Sequence, residues 1–346
     1  MQEIELMKKI TEPIIKWYQE NKRELPWRKG KNPYHIWISE IMLQQTRIEA
    51  VMGYYERFLK SLPTMQDLAK VDEEKLLKLW EGLGYYNRAR NLKKAAQIVQ
   101  EKYQGSMPKS YQELLELPGI GEYTAGAIAS IAYDEKVPAV DGNVLRVISR
   151  VVASKKDVLE GKTKKKFTEK LQKIMPKQAG DFNEGLMELG ERICLPNGKP
   201  NCEECPLQEF CLAKKENLTD SIPVRKIKTK RRKEQKTVFL LEYKGKIAIR
   251  KRESKGLLAN LYEFPNVDEK LTKKAISDVL KKWNLEASNI EEIGIHHHIF
   301  SHVEWEMIGY KIAVETMNEE FIWVKKEELL EEYAIPGAFG KFREKI

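Results

Sequence analysis

The sequence predicts an α + (α+β) chain: an all-helical core over roughly the first 215 residues and a smaller mixed module after residue 236. Three observations carry this. Residues 1–215 read as helix after helix, punctuated by Pro and Gly, with few β-branched runs. Residues 216–236 lose apolar periodicity and turn polar and basic. Beyond them, apolar and polar residues alternate at the two-residue period of strands.

A chain of 346 residues has room for two or three domains with cores of their own. Its 61 Lys and Arg outnumber 52 Asp and Glu, leaving a net charge of +9. A surplus of that size suits an ordinary lysine-rich surface and indicates a polyanion partner only where the charges cluster. They cluster at Arg225–Lys233. No apolar run is long enough to span a bilayer, and Met1-Gln-Glu-Ile-Glu lacks the basic-then-apolar start of a signal peptide. The expected compartment is the cytoplasm.

Helical spacing marks Lys75–Gly82, Asn87–Lys102, Tyr111–Leu117, Glu122–Ala132 and Asn143–Val152. Between the third and fourth, Pro118-Gly119-Ile120-Gly121 is too glycine-rich to stay helical, which makes a helix–hairpin–helix. Gly119 and Gly121 let the backbone approach a partner, and the N–H groups opening the next helix offer an anion site that fits one DNA phosphate. Ala125, Gly126, Ala127 and Ala129 are small enough for that helix to pack tightly. Asp141 then opens another helix, whose positive dipole end favours the ionised carboxylate. A phosphate grip beside a fixed anion suits an enzyme that stabilises positive charge on a DNA sugar.

Trp37–Thr46 is an apolar helix with one acid, Glu40, in its middle. As local structure, Glu40 reads as a solvated helix face. Its neighbours Ile38, Ile41, Met42 and Leu43 support the other reading, partial burial. Burial lifts a carboxyl from about 4.3 toward neutrality, which suits a general acid.

All four cysteines fall in one short segment, Cys194-x7-Cys202-x2-Cys205-x5-Cys211. Four thiols so close together indicate one metal centre rather than scattered disulfides. Zinc usually takes two Cys-x-x-Cys knuckles, whereas this chain has one, followed by Pro206. A four-iron, four-sulfur (4Fe-4S) cluster fits the set better, with zinc as the alternative.

In the C-terminal module, strands are expected at Thr237–Tyr243, Lys246–Arg250, His298–Val314 and Phe321–Val324, and helices at Lys270–Trp283 and Lys326–Glu332. Four of the five histidines lie in Ile295–Trp305. On a strand they alternate faces, so they do not converge on a metal.

Leu117-Pro-Gly-Ile-Gly121 with the downstream Val140-Asp-Gly-Asn143 resembles the helix-hairpin-helix superfamily of endonuclease III. Within it the chain most resembles the MutY-type adenine DNA glycosylases, in separate motifs from about Ile10 to the C-terminus. The resemblance implies a six-helix barrel at 25–135, a cluster lobe joining 1–24 to 136–215, and DNA bound in the cleft between these lobes. It also implies a basic linker at 216–236 and a Nudix-like module at 237–346. Gly256–Pro265 is similar to a stretch of Nudix domains, but Leu271–Trp283 supplies Lys, Ser and one Asp where the catalytic box needs an acidic metal-binding helix. A binding role is therefore expected of that module. The superfamily's cysteine pattern also favours the iron–sulfur cluster, although the first gap here, Leu195–Asn201, is one residue longer. The cluster would pin a loop that presents Lys199 to phosphates.

By the same resemblance Glu40 protonates N7 of adenine, Asp141 stabilises or traps the sugar cation, and Asn143 orients the reacting groups or caps its helix. Tyr123 stands where strand-cleaving relatives carry a lysine, and a phenol cannot form a Schiff base. Excision leaving an intact abasic site follows, with Lys136 good only for weak lyase action. Trp27, Arg28 and Glu184 line the adenine pocket, while Gln45 and Tyr85 enter the base stack and Tyr86 packs in the core. Phe300, Ser301 and His302 recognise 8-oxoguanine. The expected substrate is duplex DNA with adenine opposite 8-oxoguanine, or opposite guanine more slowly, bound by a monomer. The alternatives are a pyrimidine-damage glycosylase with lyase activity, opposed by Tyr123 and the extra module, and a non-catalytic DNA-binding scaffold, opposed by Glu40 and Asp141.

Overall fold

The computed structural model describes residues 2–226 and 230–346. Two compact units divide the chain: Met1–Lys70 with Asn91–Ile227, and Val71–Arg90 with Lys228–Ile346. Part of the basic run, Ile227–Thr229, lies outside the described residues.

The helices follow in order as α1 (Gln2–Lys9), α2 (Thr11–Asn21), α3 (Pro33–Leu43), α4 (Ile48–Ser61), α5 (Met65–Lys70), α6 (Glu73–Leu79), α7 (Asn87–Tyr103) and α8 (Tyr111–Leu115). Then come α9 (Glu122–Tyr133), α10 (Gly142–Val151), α11 (Gly161–Gln172), α12 (Ala179–Arg192) and the short α13 (Leu212–Lys215). Local chemistry sets the starts. Asn32 accepts the Tyr34 N–H at 2.9 Å, just ahead of Pro33, to begin α3. Ser110 and Glu113 form a capping box on α8.

The α8–α9 turn is the hairpin read in the sequence. Gly119 sits at φ +78°, where an L side chain is strained, and an added Cβ would lie 2.7 Å from Asn91 Cβ. Gly126 lets α9 meet the chain ahead of α10: a Cβ there would come within 2.4 Å of the Pro138 carbonyl oxygen. One core joins the N-terminal helices to the segment after residue 136, with Met7, Ile10 and Ile14 packed among Val144, Ile148, Phe182, Leu186 and Leu207. Each such aliphatic side chain contributes about 2 kcal/mol when fully buried.

The second unit is built on a sheet of strand order β3-β2-β1-β6-β5, with β4 paired to β1 and β7 to β2. The strands are β1 (Arg232–Tyr243), β2 (Lys246–Lys251), β3 (Tyr262–Glu263), β4 (Asn266–Val267), β5 (Ala287–Ile299), β6 (Val303–Val314) and β7 (Ile322–Lys325). β1 runs parallel to β6, and the other pairings are antiparallel. Alternate residues of β1 feed opposite cores. Val238 and Leu240 join Trp305 and Phe339, whereas Phe239 and Leu241 join Ile276 and Leu280 of α14 (Lys273–Lys282).

Three expectations need correction. The residues read as a linker are partly structured: β1 begins at Arg232, because its backbone pairs with Val303 onward whatever its side chains carry. Upstream, Arg150 donates to the carbonyls of Ile222 and Thr219 at 2.8 and 2.9 Å, so that stretch is tied down. The segment read as one strand, His298–Val314, is a hairpin with its turn at 300–302, closed by the Phe300 N–H donating to Val303 O at 2.8 Å. Phe-Ser-His carries no Gly, Pro or Asn to betray that reversal. Finally, 71–90 clusters with the C-terminal module rather than with the rest of 25–135. Glu74 accepts from Tyr262 at 2.9 Å, and Glu81 accepts from Arg343 at 2.7 Å.

Candidate active site

A cavity of about 560 Å³ opens in the helical unit between α3, the start of α9, the start of α10 and α12. Glu40 reaches it from the last turn of α3. Only 7 % of Glu40 is exposed, which excludes the solvated-face reading. Burial pushes its carboxyl up to about 7, and the nearby Glu184 and Asp141 push the same way. Opposing them, the Tyr123 hydroxyl donates to Glu40 Oε2 at 2.6 Å. Tyr123 itself is held far above its ordinary value by burial and by Glu40, so it remains a phenol donor.

Asp141 is the N-cap of α10 and accepts the Val144 N–H at 2.7 Å and Asn143 Nδ2 at 2.8 Å. Both donors favour the carboxylate. Burial nevertheless wins, and the Asp141 carboxyl lies above its usual range. The helix start thus supplies the cap and an interaction that favours the carboxylate, and burial opposes it. Asn143 is not the cap. It sits in the first turn, donating to Asp141 while its Oδ1 accepts from Arg146 at 2.8 Å. Arg146 is 3 % exposed and also donates to the carbonyls of Cys194 and Gly190, each at 2.7 Å.

Arg28 and Glu184 line the cavity but hold each other, Nε to Oε1 at 2.9 Å. Arg28 also pairs with Glu188 at 2.9 Å and donates to the Arg23 carbonyl at 3.2 Å, with its guanidinium 5.4 Å from the Tyr18 ring. Burial raises the Glu184 carboxyl, and Arg28 counters. Sequence reasoning missed Tyr18, Arg23 and Glu188. The available signal was the acidic stripe Asp181, Glu184, Glu188 and Glu191 at helical spacing along α12. Trp27 is buried edge-on to Tyr55, ring centres 5.2 Å apart. Gly121, the N-cap of α9, lines the cavity as well.

Gln45 lines the cavity too, exposed just past the end of α3 at φ +62°. In the other unit, Tyr85 stands 51 % exposed at φ +48°. A non-glycine residue in this left-handed region costs about 1–2 kcal/mol, a strain that collects at functional positions. The Tyr85 hydroxyl lies 3.1 Å from Ser301 Oγ. Ser301 and His302 are exposed at the β5–β6 turn, and Phe300 packs edge-on to Trp305 and His298 with ring centres 4.8 and 4.5 Å away. Tyr86 is buried. His296 and His298 are half-buried while His297 is exposed, which is the alternation a strand imposes.

Cys194, Cys202, Cys205 and Cys211 form no disulfide and all line one small pocket of about 30 Å³, with Arg150 donating to Cys194 Sγ at 3.2 Å. Among the described residues no three ligand-type side chains stand at the spacing of a single metal ion. The all-sulfur donor set around one small pocket fits a larger, sulfur-bridged group.

A glycine hairpin ahead of a helix start, beside one buried and one half-buried carboxyl on a single cavity, is the arrangement of a helix-hairpin-helix DNA glycosylase. Residues 38–177 match the HhH-GPD superfamily of base excision DNA repair proteins, and residues 237–345 match the NUDIX domain. The chain is 38 % identical to an adenine DNA glycosylase of Arabidopsis thaliana over 85 % of its own length, and spans 55 % of that relative. It is equally, 38 %, identical to the adenine DNA glycosylase of Buchnera aphidicola subsp. Schizaphis graminum, with 86 % of each chain covered. A solved non-covalent endonuclease III–DNA complex is similar at TM-score 0.52 and 26 % identity, covering 62 % of this chain and 98 % of that one. The chain belongs to the adenine DNA glycosylase family. No helix among the described residues is long and apolar enough to cross a membrane.

Proposed function

We propose that this glycosylase acts on duplex DNA in which adenine faces 8-oxoguanine, and more slowly guanine, leaving an intact abasic site. The observation that carries the reading is Glu40, poised at about 7 on the same cavity as Asp141, with a phenol and not an amine at position 123. Near neutral pH a large fraction of Glu40 holds a proton. Tyr123 occupies Oε2, which leaves Oε1 to present that proton to N7 of an extruded adenine. Protonated adenine departs with its bonding electrons, and positive charge grows on the deoxyribose. Asp141, fixed by Asn143 and Val144, faces that charge as the carboxylate and then assists water. Arg28 and Glu184 read the base edge from the pocket wall around Trp27.

Extruding a base costs a few kcal/mol, and Gln45 and Tyr85 fill the vacated stack. Gly119 and Gly121 hold a phosphate through backbone N–H groups. At the β5–β6 turn, Ser301 with Tyr85 beside it suits hydrogen bonding to N7–H and the 8-oxo edge, which ordinary guanine lacks. Phe300 wedges against the bases and His302 adds contacts. Cys194, Cys202, Cys205 and Cys211 would hold a 4Fe-4S cluster, which when bound cross-links the loop carrying Lys199. The protein works as a monomer on DNA in the cytoplasm.

Duplexes with adenine opposite 8-oxoguanine, or with an oxidised pyrimidine, test this when strand scission is read before and after alkali. The first duplex should break only after alkali. Breakage without alkali, or preference for the pyrimidine lesion, would overturn the reading. Equal rates opposite 8-oxoguanine and guanine would remove the Phe300–His302 turn from lesion recognition.

A further inference from the structure

The cavity that would receive the nucleotide is strongly acidic. Glu40, Glu122, Asp141, Glu184, Glu188 and Glu191 line it, against two cations, Arg28 and Lys164. Arg28 is spoken for by its ion pairs with Glu184 and Glu188. A nucleotide entering this space brings a phosphate on each side of its sugar, and carboxylates repel both. Among the described residues Lys164 is half-exposed on that wall and forms no ion pair. Its place is fixed by packing. Thr163 and Phe167, 4 % and 3 % exposed, anchor α11 to the core, and Lys164 follows at the margin of that buried stripe.

The surface leading away from Lys164 is basic. Lys162, Lys165 and Lys166 are exposed on the outer side of α11. The loop ahead of α11 docks the start of the basic run: Val158 N–H donates to Val224 O at 3.1 Å, and Lys226 N–H to Asp157 Oδ2 at 3.3 Å. The backbone at 224–226 is thereby held against the loop that leads into α11.

We propose that Lys164 is a substrate-binding residue whose ammonium grips the DNA phosphate flanking the extruded nucleotide, with the α11 lysines continuing along that strand. It offsets the repulsion that the carboxylates of the cavity exert on the nucleotide's own phosphates. The proposal rests on the reading that a nucleotide is extruded into this cavity.

The test is binding of the full-length protein to a duplex containing an uncleavable tetrahydrofuran abasic analogue, over a series of salt concentrations, beside the fully paired duplex. Lys164→Gln should weaken binding to the analogue about five- to tenfold and lower the slope of log K against log salt by about 0.9, the signature of one lost phosphate contact. Lys164→Arg should bind within about twofold of wild type, because it restores the charge. Unchanged affinity overturns the proposal. So does a loss with unchanged salt slope, or a loss of equal size on the fully paired duplex. Because the analogue carries no base, failure to excise adenine opposite 8-oxoguanine would defeat the proposed substrate and leave this measurement intact.

Discussion

Glu40 is expected to weaken the fold it serves, and the size of that effect can be worked out. Burial displaces its carboxyl from an ordinary 4.5 to about 7. The folded protein thus holds this proton more tightly than the unfolded chain. Its contribution to stability is whole below about 4.5 and is lost as the pH climbs to about 7. At about 1.4 kcal/mol for each pH unit, the loss reaches about 3 kcal/mol above neutrality. Glu40→Gln removes the titration and keeps both shape and an acceptor for the Tyr123 hydroxyl. The variant should therefore unfold later than wild type at about pH 8, by roughly 6–12 °C for a unit of this size, and at nearly the same temperature at about pH 4.5. Comparing the two proteins at both pH values cancels titrations elsewhere. The same variant should bind DNA and excise nothing, because an amide has no proton to give. A wild type as stable as the variant at the higher pH, or a difference independent of pH, would refute the burial argument. Retained turnover would remove Glu40 as the acid.

Three further outcomes follow from the same geometry. The single-turnover excision rate of wild type should fall as pH rises through about 7 with the slope of one proton, and Tyr123→Phe should move that midpoint upward by about one unit, because the lost donor favoured the carboxylate; a downward move contradicts the arrangement. Gly126→Ala forces a Cβ against the Pro138 carbonyl and should destabilise the helical unit by about 1–3 kcal/mol, read from its denaturation midpoint, with no effect expected on the isolated C-terminal cores. Cys205→Ser should lower bound iron and visible absorbance together with DNA affinity; a protein that keeps both without Cys205 does not use that thiol as a ligand.

The hairpin, the Asp141 cap and the cysteine group were legible because each is local. Glycines at 119 and 121 dictate a turn wherever they occur, Asp141 precedes a helical period and caps it, and four cysteines within one short loop share a site because the chain leaves them nowhere else to go. The C-terminal strands were legible from alternation, but the reversal at 300–302 was not, since pairing with Val303 closes a turn whose residues carry no signal. Likewise β1 extends into a run of charges because its partner strand supplies the hydrogen bonds.

What the sequence determined by itself was which chemical groups are present and how each is presented by its own helix, turn or strand, because those depend on neighbours a few residues away. What only the tertiary structure decided was the state of those groups. The Tyr123 hydroxyl meets Glu40 across 83 residues, and Arg28 meets Glu184 across 156. Burial opposes the helix start at Asp141, and α11 carried Lys164 to a cavity wall that nothing in its own segment predicts. A carboxyl's proton affinity is set by the water removed from around it and the charges brought near it, and both are consequences of packing between segments remote in sequence.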